Sequence, residues 1–367
     1  MRGAGGRGSP RQPGSGTLAM ASTPVLDLVS ESPVAIAISP DGKHMYVGCT
    51  GNGGRIYCYD IDQATGVATP STIPYVACNY GPASFTFNAA GTFLYVPCTG
   101  ADKFRCFSCN TTSGALTQLA VWSYDTSGEP VSLVMSANED FMYVACKNYG
   151  AVGQVSCFSR NTSTGVPAPL ATRDIATGAS GSRPIGIVRF DNHLYVGTFS
   201  TALIYCYEHN VSTGVITAMT GQTSFNCGGT QPAWLMIPAD GKFVYSANDS
   251  ASSTVSRMDR NLTTGNLSNA TTYPGGNGLW YIVIAPNQLS VYAPESDGQR
   301  IRQWDRNNSD GGLALKTPIN VCSDPNYTTT QGSQGPQKLA MAPSGKFMYA
   351  IGSTPTKNCV VQFNINP

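Results

Sequence analysis

Six side chains in this sequence have types and settings suited to chemistry on a small molecule. Asp249 and Glu295 each close an apolar, tyrosine-containing stretch, "YSAND" and "YAPES", and are the acid–base candidates. Arg183, Lys147 and Lys338 are cations able to hold an anion, and Trp280 offers a flat floor for a ring. Histidine, the usual proton-transfer residue near neutral pH, occurs only as His44, His193 and His209. His44 and His193 fall in or beside turns, and His209 stands just before the turn "NVSTG", so all three read as surface residues. There is no Gly-x-Ser-x-Gly elbow, phosphate-cradling Gly-Lys loop or metalloprotease helix, and no cofactor is expected. Cys106 and Cys109 form an isolated C-x-x-C with no second half at zinc spacing, so no metal site is expected either. The six candidates are far apart in the chain. They can meet only if the fold brings the ends of many elements to one place.

A repeat supplies such a fold. The phrase "SPDGKHMYV" (39–47) recurs in altered form through the chain, with its aromatic at Tyr46, Tyr95, Tyr143, Tyr195, Tyr245, Tyr292 and Tyr349. The intervals are 49, 48, 52, 50, 47 and 57 residues, a period that signals a propeller or solenoid. Each unit opens on an alternating stretch such as "VAIAIS" or "SFTFN", turns on Asp, Asn or Gly, and continues into the tyrosine strand. A third strand follows ("RIYCYD", "QVSCFSR", "IRQWDR"), then a turn ending in Thr-Gly or a variant of it, then a less regular fourth strand. The expected fold is therefore all-β: a seven-bladed propeller of four-stranded antiparallel blades. The tyrosines read as packing between blades. The last unit ends in its third strand, "CVVQFNINP", while "TPVLDLVS" (23–30) precedes the first unit with no blade of its own; it should supply the missing outer strand and close the ring. Residues 1–21, rich in Gly, Pro and Ser, read as a disordered tail, and 22–367 as one propeller domain.

In such a ring the first strand of each blade starts where the second ends, at one mouth of the central channel. Lys147, Asp249, Glu295 and Trp280 fall at or next to those positions, with Arg183 and Lys338 close by. The opposite face carries the Asp-Gly and Thr-Gly turns.

Composition narrows the setting. Charged residues make up 12% of the chain and the formal net charge is +1, which leaves no basic footprint for nucleic acid. No apolar run is long enough to span a membrane. Twelve cysteines and nine N-x-S/T sequons, at Asn110, Asn161, Asn210, Asn248, Asn261, Asn266, Asn269, Asn307 and Asn326, point to an extracellular glycoprotein. Against this, "GTLAMA" near the start is too short and polar for a signal-peptide core. The cysteines also repeat. Cys49, Cys98 and Cys146 share a position after the tyrosine, and Cys58, Cys106, Cys157 and Cys206 share one in the third strand. A hairpin turning near 51–54 sets Cys58 opposite Val47, too far from Cys49 for an easy bridge. The third-strand set is open to two readings, as buried free thiols or as bridged ones. The loop residues Cys227 and Cys322 are the better disulfide candidates.

The repeats "SPDGKHMYV", "PADGKFVYSANDSASSTV" and "APSGKFMYA" resemble the seven-bladed lactonase family, which includes 6-phosphogluconolactonase and the fungal 3-carboxy-cis,cis-muconate lactonizing enzyme. The likeness extends over about residues 23–367, and it also touches secreted fungal relatives labelled carboxymuconate cyclase. It implies a channel-mouth site built from histidine, arginine and glutamate. Here the histidine position after the strand-opening proline holds aliphatic residues, tryptophan or glutamine. The "Y-x-x-N-E" glutamate is replaced by Asp249, and the "Y-x-x-N-R" arginine one blade later is absent, with Glu295 and Ser296 in "YAPES". Three functions stay open: a lactone hydrolase or cycloisomerase with an altered site, an extracellular glycan- or protein-binding module, and a structural, assembly-forming glycoprotein. The expected partner is a small lactone or carbohydrate, with oligomer formation an open alternative.

Overall fold

A computed structural model of the chain describes residues 17–28, 32–148, 151–178, 181–250, 253–321, 336–353 and 358–366. The strands form seven antiparallel sheets, each a meander running from the channel outward. The first blade is typical: Pro33–Ile38, His44–Cys49, Arg55–Ile61 and Ala68–Ala77 pair in that order. Position within a blade sets the sequence pattern. The second strand is covered on both faces by neighbouring blades, so "HMYVGC" is buried at every residue. The fourth strand is half open to solvent, and Ala68–Ala77 is mostly exposed. The ring closes where the inner strand of blade 1 lies against that of blade 7, Pro336–Met341.

Blade 7 takes its outer strand from the other end of the chain, as expected. Thr17–Asp27 runs antiparallel to Asn358–Asn366, from Thr17 opposite Asn366 to Asp27 opposite Cys359. The strand begins at Thr17, earlier than the expected 23. Leu28 N–H extends the pairing to the Asn358 carbonyl at 2.7 Å.

The repeated tyrosine and the repeated Thr-Gly turn are two halves of one contact. Tyr46 donates its hydroxyl hydrogen to the carbonyl of Gly114 at 2.8 Å, Tyr95 to Gly165 at 2.7 Å and Tyr143 to Gly214 at 3.1 Å. Tyr195 donates to Gly265 at 2.5 Å, Tyr245 to Gly311 at 2.6 Å and Tyr349 to Gly66 at 2.6 Å. Each bond ties a second strand to the third–fourth turn of the next blade. The turn needs glycine twice over. At Gly165, φ is +72°, and an added Cβ would stand 2.3 Å from the Phe93 ring. The seventh tyrosine, Tyr292, faces blade 7, whose outer strand comes from the N-terminus, so no such turn meets it among the described residues. Its hydroxyl approaches Ser290 without reaching hydrogen-bond geometry.

Three expectations are corrected by this packing. The histidines are buried, not on the surface, because neighbouring blades cover them, the inter-blade turns over His44 and His193 and Tyr143 over His209. His44 Nδ1 lies 2.9 Å from Asp60 Oδ1, His193 Nδ1 accepts from Arg260 at 2.8 Å, and His209 packs edge-on against Tyr143. Among the sequons, Asn110, Asn161, Asn210, Asn261 and Asn307 sit in exposed turns, where each side-chain carbonyl accepts backbone N–H groups two or three residues on. Asn248 is different. It is fully buried, donating to Thr254 and Ser256 and accepting from Ser246, which leaves no room for a sugar. Asn269 is exposed, Asn266 is half-buried, and Asn326 lies outside the described residues. Third, the cysteine register is one residue off: Cys58 pairs with Tyr46, not Val47, and Cys106, Cys157 and Cys206 likewise sit opposite Tyr95, Tyr143 and Tyr195. The described cysteines are all buried and unbridged, Cys227 included, while Cys322 lies outside the described residues.

Candidate functional site at the channel mouth

Inner strands begin and second strands end at the mouth, so its lining comes from residues flanking strands. Blade 6 is irregular there. Its inner strand is reduced to Val283–Ile284, and the preceding segment is held by Leu279, which bridges to Glu295 and donates its N–H to Ser253 Oγ at 3.2 Å. This releases Trp280 from the sheet. Its indole is 40% exposed and stacks on Phe199 with ring centroids 4.8 Å apart and planes 12° from parallel. Phe199 in turn carries the Arg183 guanidinium 4.9 Å from its centroid, and Phe199 N–H is bonded to the Arg183 carbonyl at 2.8 Å. Tyr281 turns the other way, into the channel, and packs against Trp234 at 4.5 Å.

Trp280 forms one wall of a cavity of about 360 Å³ that is completed by Ser296, Asp297, Gln337 and Lys338. Asp249 follows the second strand of blade 5, half-buried, with its N–H on the Gln231 carbonyl at 3.1 Å. Burial, reinforced by the neighbouring Asp297 carboxylate, pushes the Asp249 carboxyl up from its ordinary value. Lys338 reaches both the mouth cavity and a deeper one of about 240 Å³ within the channel, lined among others by Ser132, Trp234 and Tyr281. Its ammonium donates to the Ala83 carbonyl and lies 5.6 Å from the Trp234 ring centroid and 6.0 Å from that of Tyr281. Burial pulls this amine down to about 8.

The other two candidates go elsewhere. Glu295 is buried beside the mouth, accepting from Arg302 at 2.6 Å, Arg300 at 2.9 Å and the N–H of Asn277 at 3.3 Å. Burial pushes its carboxyl up, but the arginine hydrogen bonds outweigh this and hold it below the ordinary range. It is a clamp for the blade 6 hairpin rather than an open acid. Lys147 pairs with Glu129 at 3.2 Å in a separate depression with Asp102, Ser127 and Asn148, between blades 2 and 3. Sequence reasoning missed Asp297 and Phe199 as site residues. Phe199 is an aromatic where the other second-strand ends carry Thr, Ser, Lys or Asp, and that contrast was visible in the sequence. Among the described residues no group of three or more His, Cys, Asp or Glu is placed to hold a metal ion, and no helix is long and apolar enough to cross a membrane.

Residues 18–122, less than a third of the chain, match the family model described as a lactonase, 7-bladed beta-propeller. Over the described residues the chain forms a seven-bladed propeller, the architecture that this family model describes. The propeller is similar in structure to the periplasmic gluconolactonase of Pseudomonas aeruginosa, with 16% identity over 88% of this chain and 99% of that one, at a TM-score of 0.72. It is also similar to a candidate 6-phosphogluconolactonase from Bacteroides uniformis, with 17% identity over 79% and 85% of the two chains and a TM-score of 0.68. Hydrazine synthase from Kuenenia stuttgartiensis aligns too, with 15% identity over 92% and 97% and a TM-score of 0.65. At these identities the likeness is one of fold. No curated protein matches the sequence.

Proposed function

We propose that this propeller binds a small cyclic sugar derivative at the channel mouth and hydrolyses it as a lactone, through a site altered from that of its relatives. The observation that carries the reading is the exposed Trp280 face, braced by Phe199, opening onto a cavity whose walls bear Asp297, Gln337 and Lys338, with Asp249 beside Asp297. A sugar ring stacks on an indole and presents its hydroxyls to carboxylates and amides. In hydrolysis, Asp249 takes a proton from the attacking water, for which its raised pKa suits it. The Lys338 ammonium supports the developing oxyanion and returns a proton to the ring oxygen as the acyl bond breaks. A phosphorylated lactone fits poorly, because a phosphate wants several cations and this cavity sets one lysine among carboxylates. A binding module without turnover is the second reading, favoured by the same aromatic floor and by the absence of a histidine at the mouth. Passage through the secretory route is part of the proposal, supported by the five sequon turns exposed on the opposite face.

The test is hydrolysis of unphosphorylated aldonolactones such as glucono-δ-lactone, corrected for spontaneous opening. Saturable turnover is expected, lost in Asp249→Asn, with a descending pH limb near the Lys338 value of about 8 and with 6-phosphogluconolactone far poorer. Binding without turnover in the wild type would replace the enzyme with the binding module. Neither binding nor turnover across the panel would remove the reading.

A further inference from the structure

Most of the cysteines follow the repeat, and Cys78 meets a second one. Cys58, Cys106, Cys157 and Cys206 each sit opposite a blade tyrosine as small core residues. Cys146, the blade 3 equivalent of Cys98, directs its thiol to the Val144 carbonyl and Ser156 Oγ. Cys78 follows the outer strand of blade 1, on the link to blade 2, and its blade 4 counterpart, Cys227, meets Asn248 where Cys78 meets a second cysteine. The Cys78 sulfur meets Cys98 Sγ at 3.2 Å, both residues being fully buried. That separation exceeds the ~2.05 Å of a disulfide by only about 1.1 Å. Both backbones are pinned. Cys78 N–H donates to the Gly54 carbonyl at 2.9 Å, and its own carbonyl accepts from Arg105 Nε at 3.3 Å. Cys98 is paired with Lys103 on one side and Pro82 on the other. Small side-chain rotations therefore suffice to bring the sulfurs together.

We propose that Cys78 and Cys98 form a disulfide that fastens the outer edge of blade 1 to the second strand of blade 2. The oxidant is a disulfide such as oxidised glutathione or a thiol–disulfide oxidoreductase. One cysteine thiolate attacks it and expels a thiol, leaving a mixed disulfide. The second cysteine loses its proton and displaces the remaining thiol as the protein S–S bond forms. The two cysteines give up two protons and two electrons, and the oxidant is reduced to two thiols. Because both sulfurs are inaccessible in the closed ring, the step belongs to folding, before blades 1 and 2 dock. The bridge closes a loop between neighbouring blades and restricts the unfolded chain. This inference is independent of the channel-mouth reading.

The test is to refold the full chain in a glutathione buffer with the oxidised form in excess, unfold it in guanidinium chloride with iodoacetamide present to block every free thiol, and map peptides without reduction. Trypsin leaves both cysteines in one peptide, since no Lys or Arg separates them. Chymotrypsin cuts after Tyr80, Phe85 and Phe87 between them. A linked peptide holding Cys78 and Cys98, lighter than the two free peptides by two hydrogens, is expected. Reductant should lower the wild-type Tm and leave that of Cys98→Ser unchanged. In that variant Cys78 should be alkylated. Alkylation of both residues in the oxidatively refolded wild type, or linkage of Cys78 to a different cysteine, would overturn the proposal. The wild-type map decides the matter even if the variant does not fold.

Discussion

Replacing Tyr195 by Phe should cost far more stability than the same change at Tyr292, although the two occupy one position in the repeat. The Tyr195 hydroxyl donates to the Gly265 carbonyl at 2.5 Å and accepts from Arg260 Nε at 2.8 Å, with the Arg260 side chain wholly buried. Removing the oxygen loses a hydrogen bond worth about 1 kcal/mol net and strands a buried carbonyl and a charged donor, which adds about 1–3 kcal/mol. The expected loss is about 2–4 kcal/mol in all. The Tyr292 hydroxyl meets no turn carbonyl, so its deletion strands nothing, and the change should fall within about 0.5 kcal/mol. The assay is urea denaturation followed by tryptophan fluorescence, comparing midpoints of the two variants with the wild type, since the Phe rings keep the packing. If Tyr292→Phe were as destabilising as Tyr195→Phe, the tyrosines would act through their rings alone, and the blade-to-turn bond would not be what the repeat preserves.

Trp280→Ala should lower stability by about 1–2 kcal/mol, below the ~3–5 kcal/mol of a fully buried tryptophan, because one face is open; by calorimetry, a larger loss with ligand binding intact would make Trp280 a packing residue. Acidification from pH 7.5 to 5 should lower the denaturation midpoint. Burial first, then Arg260 and Arg189 respectively, depress His193 and His209 in the folded state. The unfolded chain, with histidines near ~6.5, therefore binds more protons, and the stability present above that pH is lost as pH falls towards the folded values. His209→Gln should flatten this dependence, and a midpoint that rises on acidification would contradict the assignment. Site-resolved mass spectrometry of protein from its native source should find glycans among Asn110, Asn161, Asn210, Asn261 and Asn307 and none on Asn248; a sugar on Asn248 would be incompatible with its buried hydrogen bonds.

The number of blades, their strand order and the closing strand were legible in the sequence because each unit repeats its own local chemistry: alternation, an Asp-Gly or Asn turn, a tyrosine strand and a glycine turn. Even the tyrosine–glycine contact was present as two motifs of equal period. What the period cannot reveal is which side chain the next blade covers. Asn248 and Glu295 end equivalent strands one blade apart, with Asp249 just beyond the first; Glu295 lies opposite Arg300 in the hairpin and is captured by it and Arg302, while Asn248 lies opposite Thr254 and leaves Asp249 without such a clamp from the hairpin. The histidines looked exposed because they stand at turns. The turn glycines that bury His44 and His193 come from the neighbouring blade: a Cβ at Gly114 would sit 2.6 Å from His44 Nδ1, and one at Gly265 2.4 Å from the His193 ring. Lys147 ends a second strand while Lys338 lies within an inner strand, and of the two only Lys338 borders the Trp280 cavity. Local sequence determines strands, turns and their repetition because backbone pairing depends on near neighbours. Burial, charge pairing and the convergence of a site depend on contacts between blades, and those are decided only when the ring closes.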